Sequence, residues 1–178
     1  MSDPSFFGYG SLVNLATHDY AKPRPATLHG WRRVWQGTHL REAAYLSVEP
    51  AKDTVITGII AQVPGNDWAA LDAREAAYQR HDVTALTQPQ TLQTAVYQVR
   101  AEHVAASAEH PILLSYLDTV VQGFLRLHGE QGVSDFFATT GGWNVPILND
   151  RDAPIYPRAQ ALTISERALV DDHLATVM

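Results

Sequence analysis

Glu75 is the residue of this sequence hardest to assign to structure alone. Trp68, Leu71, Glu75 and Tyr78 are spaced by three, four and three positions, which places them on one stripe of an α-helix. The other three are apolar or aromatic, so the stripe faces a core and Glu75 stands where a leucine is expected. A carboxylate there must be hydrogen-bonded, paired or protonated, because burying an unpaired charge costs on the order of several kcal/mol. Desolvation raises the pKa of such a group toward neutrality. A carboxyl poised there can both accept and return a proton, as general acid/base catalysis requires. The competing reading is a structural glutamate paired with Arg74, Arg80 or a more distant arginine, since structural ion pairs also perturb pKa values.

The second feature is Gly8-Tyr9-Gly10-Ser11-Leu12. Two glycines around an aromatic residue permit a sharp turn with main-chain N–H groups left over, and such nests hold carboxylates or oxyanions. A simple turn accounts for the glycines equally well. There is no Gly-x-x-x-x-Gly-Lys phosphate loop, and Ser11 does not lie in a Gly-x-Ser-x-Gly nucleophile elbow. The eight histidines are scattered without His-x-His or His-Glu-x-x-His spacing, so no metal site is expected. With no cysteine, thiolate nucleophiles, disulfides and Cys-ligated metals are excluded. Trp31, Trp35 and Trp143 read as core residues.

These residues need elements to position them. Ser5–Tyr9 reads as a strand entering the glycine turn, followed by strands at His29–Trp35, Ala44–Val48 and Val55–Val63. Pro64-Gly65-Asn66 makes a turn, and Asn66 is expected to cap a helix from Asp67 to Gln79. Two alternating segments, His81–Leu86 and Ala95–Ala101, read as further strands. Pro111 opens a second helix that Gly129 closes, and Thr139-Thr140-Gly141-Gly142 reads as a flexible link. Residues 143–157, with Pro146, Pro154 and Pro157, read as an ordered loop. Arg158–Thr163 is expected as a last strand, before a helix starting at Ser165 with Glu166, Asp171 and Asp172 exposed. Most strand pairs lack a crossover helix between them. That predicts an α+β fold with a curved, largely antiparallel mixed sheet or small barrel and flanking helices.

The length of 178 residues suits one domain with a core that needs no staples. A formal net charge of -6 argues against nucleic acid as the main partner. No basic segment leads into an apolar run at the N-terminus, and no apolar run is long enough to span a bilayer. A cytoplasmic protein without membrane attachment is expected; the oligomeric state is not readable.

Together the two features resemble the γ-glutamyl cyclotransferase superfamily, which includes ChaC-like and AIG2-like proteins. The family's first strand leads into a Tyr-Gly-Ser-Leu or Tyr-Gly-Ser-Asn loop, matched by Tyr9-Gly10-Ser11-Leu12. Its second strand follows an Ala-x-Leu-x-Gly-aromatic-Arg pattern, matched by Ala26-Thr27-Leu28-His29-Gly30-Trp31-Arg32. Its Leu-Asp-x-x-Glu helix, with the catalytic glutamate last, is matched by Leu71-Asp72-Ala73-Arg74-Glu75. The likeness runs from residue 5 to about residue 128, with Ser115-Tyr116 resembling the start of a later family helix. Residues 131–178 form a divergent C-terminal segment of the same expected domain, and Trp143–Pro157 has no counterpart in the compact members.

The resemblance implies an intramolecular reaction. The α-amine of a small-molecule γ-glutamyl substrate attacks its own γ-carbonyl, forming 5-oxoproline and expelling an amine or amino acid. Glu75 would be the acid/base, the amides of Gly10, Ser11 and Leu12 would hold the glutamyl unit, and Tyr9 and Tyr116 would be pocket walls or hydroxyl donors. No metal or organic cofactor is implied. A binding module of the same fold, without catalysis, is the alternative.

Overall fold

The computed structural model describes residues 3–105 and 110–178. Its centre is a curled mixed sheet. The first strand, β1 (Ser5–Gly8), pairs antiparallel with β3 (Tyr45–Gln62) on one side and parallel with β6 (Thr94–Val99) on the other. Beyond β3 lies β2 (Ala21–Gln36), antiparallel to it, and beyond β6 lies β4 (Tyr78–Asp82), also antiparallel. Two short strands, β5 (Thr87–Gln88) and β8 (Thr140–Gly141), extend the sheet at β2. The expected α+β architecture, curved and largely antiparallel with helices against it, is the one observed.

Period-two alternation divides the core. Phe7 faces the larger cluster, with Leu28, Ile60 and the long helix α2 (Leu114–Ala138). Phe6 faces a smaller cluster, with Leu12, Ala61, Val63 and Tyr97, under the short helix α1 (Ala69–Arg74).

Several local expectations are corrected. The segments 44–48 and 55–63 belong to the one long strand β3, because β2 begins at Ala21 and pairs along nearly its whole length. The helix expected over 67–79 spans only Ala69–Arg74, and Glu75 is its C-cap, with φ −100 and ψ 35. Pairing of Tyr78–Asp82 with Ala95–Val99 outweighs the helix preference of Ala76 and Ala77, so the chain leaves the helix early. Asn66 does not cap the helix. Its Oδ1 accepts from Trp68 Nε1 at 2.7 Å, while Asp67 Oδ1 accepts from the Ala69 amide at 3.0 Å. Helix α2 begins at Leu114 because Ile112–Leu113 (β7) pair with Ile147–Leu148 (β9). Gly129 breaks α2 as expected, at φ 70, but the helix resumes beyond it. The link at 139–142 contains the paired strand β8, and Arg158–Thr163 is not a strand.

The last helix, α3 (Ile164–Val177), starts from Thr163, whose side chain forms a capping box with Glu166. Glu166 is therefore partly buried rather than exposed, and Gln122 Nε2 also donates to it at 3.1 Å. Before α3, the proline-containing segment is strapped across α2. Asp150 accepts from the Ser115 amide at 2.8 Å, the Ser115 hydroxyl at 2.5 Å and the Ile155 amide at 2.9 Å. Arg151 forks onto both Asp118 oxygens at 2.8 Å, and the Gln160 amide donates to Thr119 Oγ1 at 3.1 Å.

Candidate active site

Glu75 sits where α1 ends and the chain turns into β4. Its amide donates to Leu71 O at 2.9 Å, and its carbonyl accepts from Tyr78 N–H at 2.8 Å. The side chain is 16% exposed, and Oε1 lies 3.4 Å from Arg74 Nε. That arginine is mainly engaged elsewhere. It donates to Thr17 O at 2.9 Å and Thr17 Oγ1 at 3.2 Å, and its NH2 reaches Ser11 Oγ at 3.5 Å. Burial lifts the Glu75 carboxyl above the ordinary carboxyl pKa, and Arg74 and Arg158 only partly pull it back.

The glycine turn approaches from β1. After Gly8 the chain passes through Gly10 (φ −127, ψ −125) into a single 3₁₀ turn, Ser11–Val13. Val13 N–H donates to Gly10 O and Asn14 N–H to Ser11 O, both at 3.0 Å. The amides of Gly10, Ser11 and Leu12 precede the first of these bonds, so the turn's own ladder leaves them over. A Cβ at position 10 would stand 2.7 Å from the Tyr116 hydroxyl and 3.2 Å from Leu46 Cδ2, so a larger residue there must push those side chains aside.

Glu75 and Gly10-Ser11-Leu12 line one hollow of about 30 Å³, together with Tyr9, Tyr78 and Tyr116. This hollow shares Ser11, Glu75, Tyr78 and Tyr116 with a wider cleft of about 410 Å³. The cleft's volume lies in the usual small-molecule range of roughly 300–1,000 Å³. All six residues singled out from the sequence thus border the same space. Their side chains differ in availability. The Tyr9 hydroxyl donates to Tyr97 O at 2.6 Å, and Leu12 packs into the smaller core. Tyr116 stands over Gly10, and its phenol is held well above the usual range by burial, then by Tyr156 and Glu75; the Ser11 amide and hydroxyl oppose this.

Sequence reasoning missed several groups. Tyr78 was placed on the helix stripe; it opens β4 and donates to Leu46 O at 2.9 Å. Arg33 is fully buried. It donates through Nε to Tyr9 O at 2.8 Å, through NH1 to Thr139 Oγ1 at 3.0 Å, and through NH2 to Thr57 O. Its guanidinium carbon lies 4.8 Å and 5.1 Å from the centres of the Phe124 and Phe136 rings. Burial pulls its pKa down to about 9, which leaves it cationic at neutral pH. Arg33 lies midway between Trp31 and Trp35 at period-two spacing, and that was the available signal. Arg41, Tyr156 and Arg158 also line the cleft. Nothing local in the sequence marks them, because distant segments carry them there.

A family model described as gamma-glutamyl cyclotransferase, AIG2-like, matches residues 6–116. No curated protein sequence matches the chain. Among solved structures, a gamma-glutamyl cyclotransferase superposes with a TM-score of 0.60 at 14% identity, covering 94% of this chain and 98% of its own. An uncharacterized protein from Homo sapiens superposes with a TM-score of 0.62 at 13% identity, covering 96% and 99%. YkqA from Bacillus subtilis gives 0.62 at 14% identity over 82% of this chain, which spans 56% of that one. At these identities the structural likeness speaks for the fold alone.

Proposed function

The chain belongs to the gamma-glutamyl cyclotransferase, AIG2-like family, and from that membership we propose that it cyclises a γ-glutamyl group, releasing 5-oxoproline and the amine that carried it. The substrate's α-amine nitrogen attacks its own γ-carbonyl carbon. A C–N bond forms, the original γ-amide C–N bond breaks, and the proton lost by the attacking nitrogen ends on the leaving nitrogen. No water is consumed. Because both reacting groups belong to one molecule, the enzyme's task is to hold a near-attack conformation.

Glu75 is the group that moves the proton. A carboxyl lifted by burial is basic enough to take it and acidic enough to return it. The amides of Gly10, Ser11 and Leu12 bind the glutamyl unit and meet the charge that develops on the γ-carbonyl oxygen. Tyr116 walls the pocket over Gly10, and Tyr9 forms its floor. The observation that carries this reading is that a mostly buried carboxyl and the glycine turn border one hollow.

The test is release of 5-oxoproline from a panel of γ-glutamyl dipeptides, with Glu75→Gln as the control. The wild type should turn over at least one member. The variant should fold normally and lose about 10²–10⁴-fold in kcat. A variant with wild-type turnover would remove Glu75 from the mechanism.

A further inference from the structure

Arg33 is a cation inside the core, where arginine is rare. Among the described residues no carboxylate lies within ion-pair distance of it. Asp135 acts on it only from further off. A buried charge without a close partner is costly, and apolar replacements of similar volume are often neutral or stabilising. The Phe124 and Phe136 rings and three oxygen acceptors offset part of that cost. Stability alone gives little reason for a guanidinium here.

Its acceptors show where it acts. From β2, Nε donates to Tyr9 O at 2.8 Å, NH2 donates to Thr57 O on β3, and NH1 donates to Thr139 Oγ1 at 3.0 Å just beyond α2. Three separate segments are tied together behind the glycine turn. Tyr9 O and the Gly10 N–H belong to one peptide unit, which is trans. Such a unit is planar and carries its C=O and N–H on opposite sides. With the oxygen held toward the buried guanidinium, the Gly10 N–H is aimed away from it. Gly10 borders the hollow that Glu75 also borders, and Arg33 does not. The Tyr9 hydroxyl, bonded to Tyr97 O at 2.6 Å, pins the same residue at its other end. A cation at the carbonyl oxygen also polarises the peptide, which makes its N–H a stronger donor.

We propose that Arg33 is a positioning residue for the reaction: from behind the turn it fixes the Tyr9–Gly10 peptide and strengthens the Gly10 N–H as a donor to the γ-carbonyl oxygen. This rests on the cyclotransferase reading above. A guanidinium placed in the hollow itself would pair with Glu75 and hold it ionised. Relayed through a peptide, the charge reaches the reacting oxygen without doing so, and Arg33 is not among the cations that pull Glu75 down.

The experiment measures 5-oxoproline release from the best γ-glutamyl dipeptide by wild type, Arg33→Met, Arg33→Lys and Thr139→Val. Charge on the γ-carbonyl oxygen develops in the transition state, so the loss should fall on kcat with KM nearly unchanged. Arg33→Met should lose about 10–10²-fold in kcat, short of the roughly 10²–10³-fold that deleting an oxyanion donor costs. Arg33→Lys keeps a charge and should recover part of the rate. Thr139→Val removes only the NH1 acceptor, and should melt lower yet keep the wild-type kcat. Wild-type kcat in Arg33→Met, a loss carried by KM, or an equal loss in Thr139→Val would overturn the role and leave the cyclotransferase reading standing.

A readout on the wild type covers the case in which the Arg33 variants do not fold. In proton–nitrogen correlation spectra, saturating 5-oxoproline should shift the Gly10 amide. Through the shared peptide it should also shift the Arg33 Nε–H, which is too deeply buried to touch the ligand. An Arg33 signal that stays put, or a Gly10 amide that does not respond, would overturn the coupling. If no dipeptide yields 5-oxoproline, the cyclotransferase reading fails, and the same titration with γ-glutamylglycine decides whether Arg33 backs a ligand-binding amide.

Discussion

Glu75 shows how much of a residue's chemistry is set by what surrounds it. Its carboxyl has one cationic neighbour at 3.4 Å and little water, so the protonated form is favoured more in the folded chain than in the unfolded one. The sign of the pH dependence follows. A raised pKa means that the stability this group contributes is full below the ordinary carboxyl value of 4.5 and is lost as pH rises through the folded value. Glutamine is neutral throughout and escapes that loss. Glu75→Gln is therefore expected to melt above wild type at neutral pH, with the difference narrowing below about pH 4.5, as thermal denaturation across pH would show. The rise in stability and the fall in kcat should occur together, because the desolvation that makes the carboxyl useful also makes it costly.

Among the elements, the turn after β1 and the strap before α3 do the positioning. Gly10 lets the turn pass beneath Tyr116, and a methyl group there would sit 2.7 Å from the phenol oxygen. Gly10→Ala is expected to lower kcat/KM at least tenfold. Adding Tyr116→Phe should recover part of the loss, because removing the hydroxyl opens the space; steady-state kinetics on the single and double variants would tell. The strap depends on Asp150. Burial pushes its carboxyl up, but hydrogen bonds from the Ser115 side chain, the Ser115 amide and the Ile155 amide outweigh this and hold it below the usual range. Asp150→Ala strands these donors and should cost about 1.5–3 kcal/mol, read from urea midpoints. Tyr156 and Arg158 of the strap line the cleft, so the same variant should raise KM for a γ-glutamyl substrate more than it lowers kcat.

At the scale of the whole molecule, charge is separated from its average. An acidic protein with an arginine-lined cleft draws anions to that cleft against its net charge, and salt screens the attraction. KM for an anionic γ-glutamyl dipeptide should rise severalfold between about 0.01 M and about 1 M salt, as the Debye length falls from about 30 Å to about 3 Å. Across the described residues no helix is long and apolar enough to cross a membrane. The sequence by itself determined what depends on neighbours along the chain: the strand-to-glycine turn, the α+β class, and the anomaly of an acid among apolar neighbours. It misjudged the length of α1 because Tyr78–Asp82 answers to β6 rather than to its own propensity. Only the tertiary structure decided that Glu75 would share a hollow with Gly10-Ser11-Leu12. Only there do Arg41, Tyr156 and Arg158 meet beside that hollow. Local periodicity specifies which face of an element is buried, whereas a cleft is a meeting of several such faces, fixed by strand register and by long-range ties such as Asp150 to Ser115.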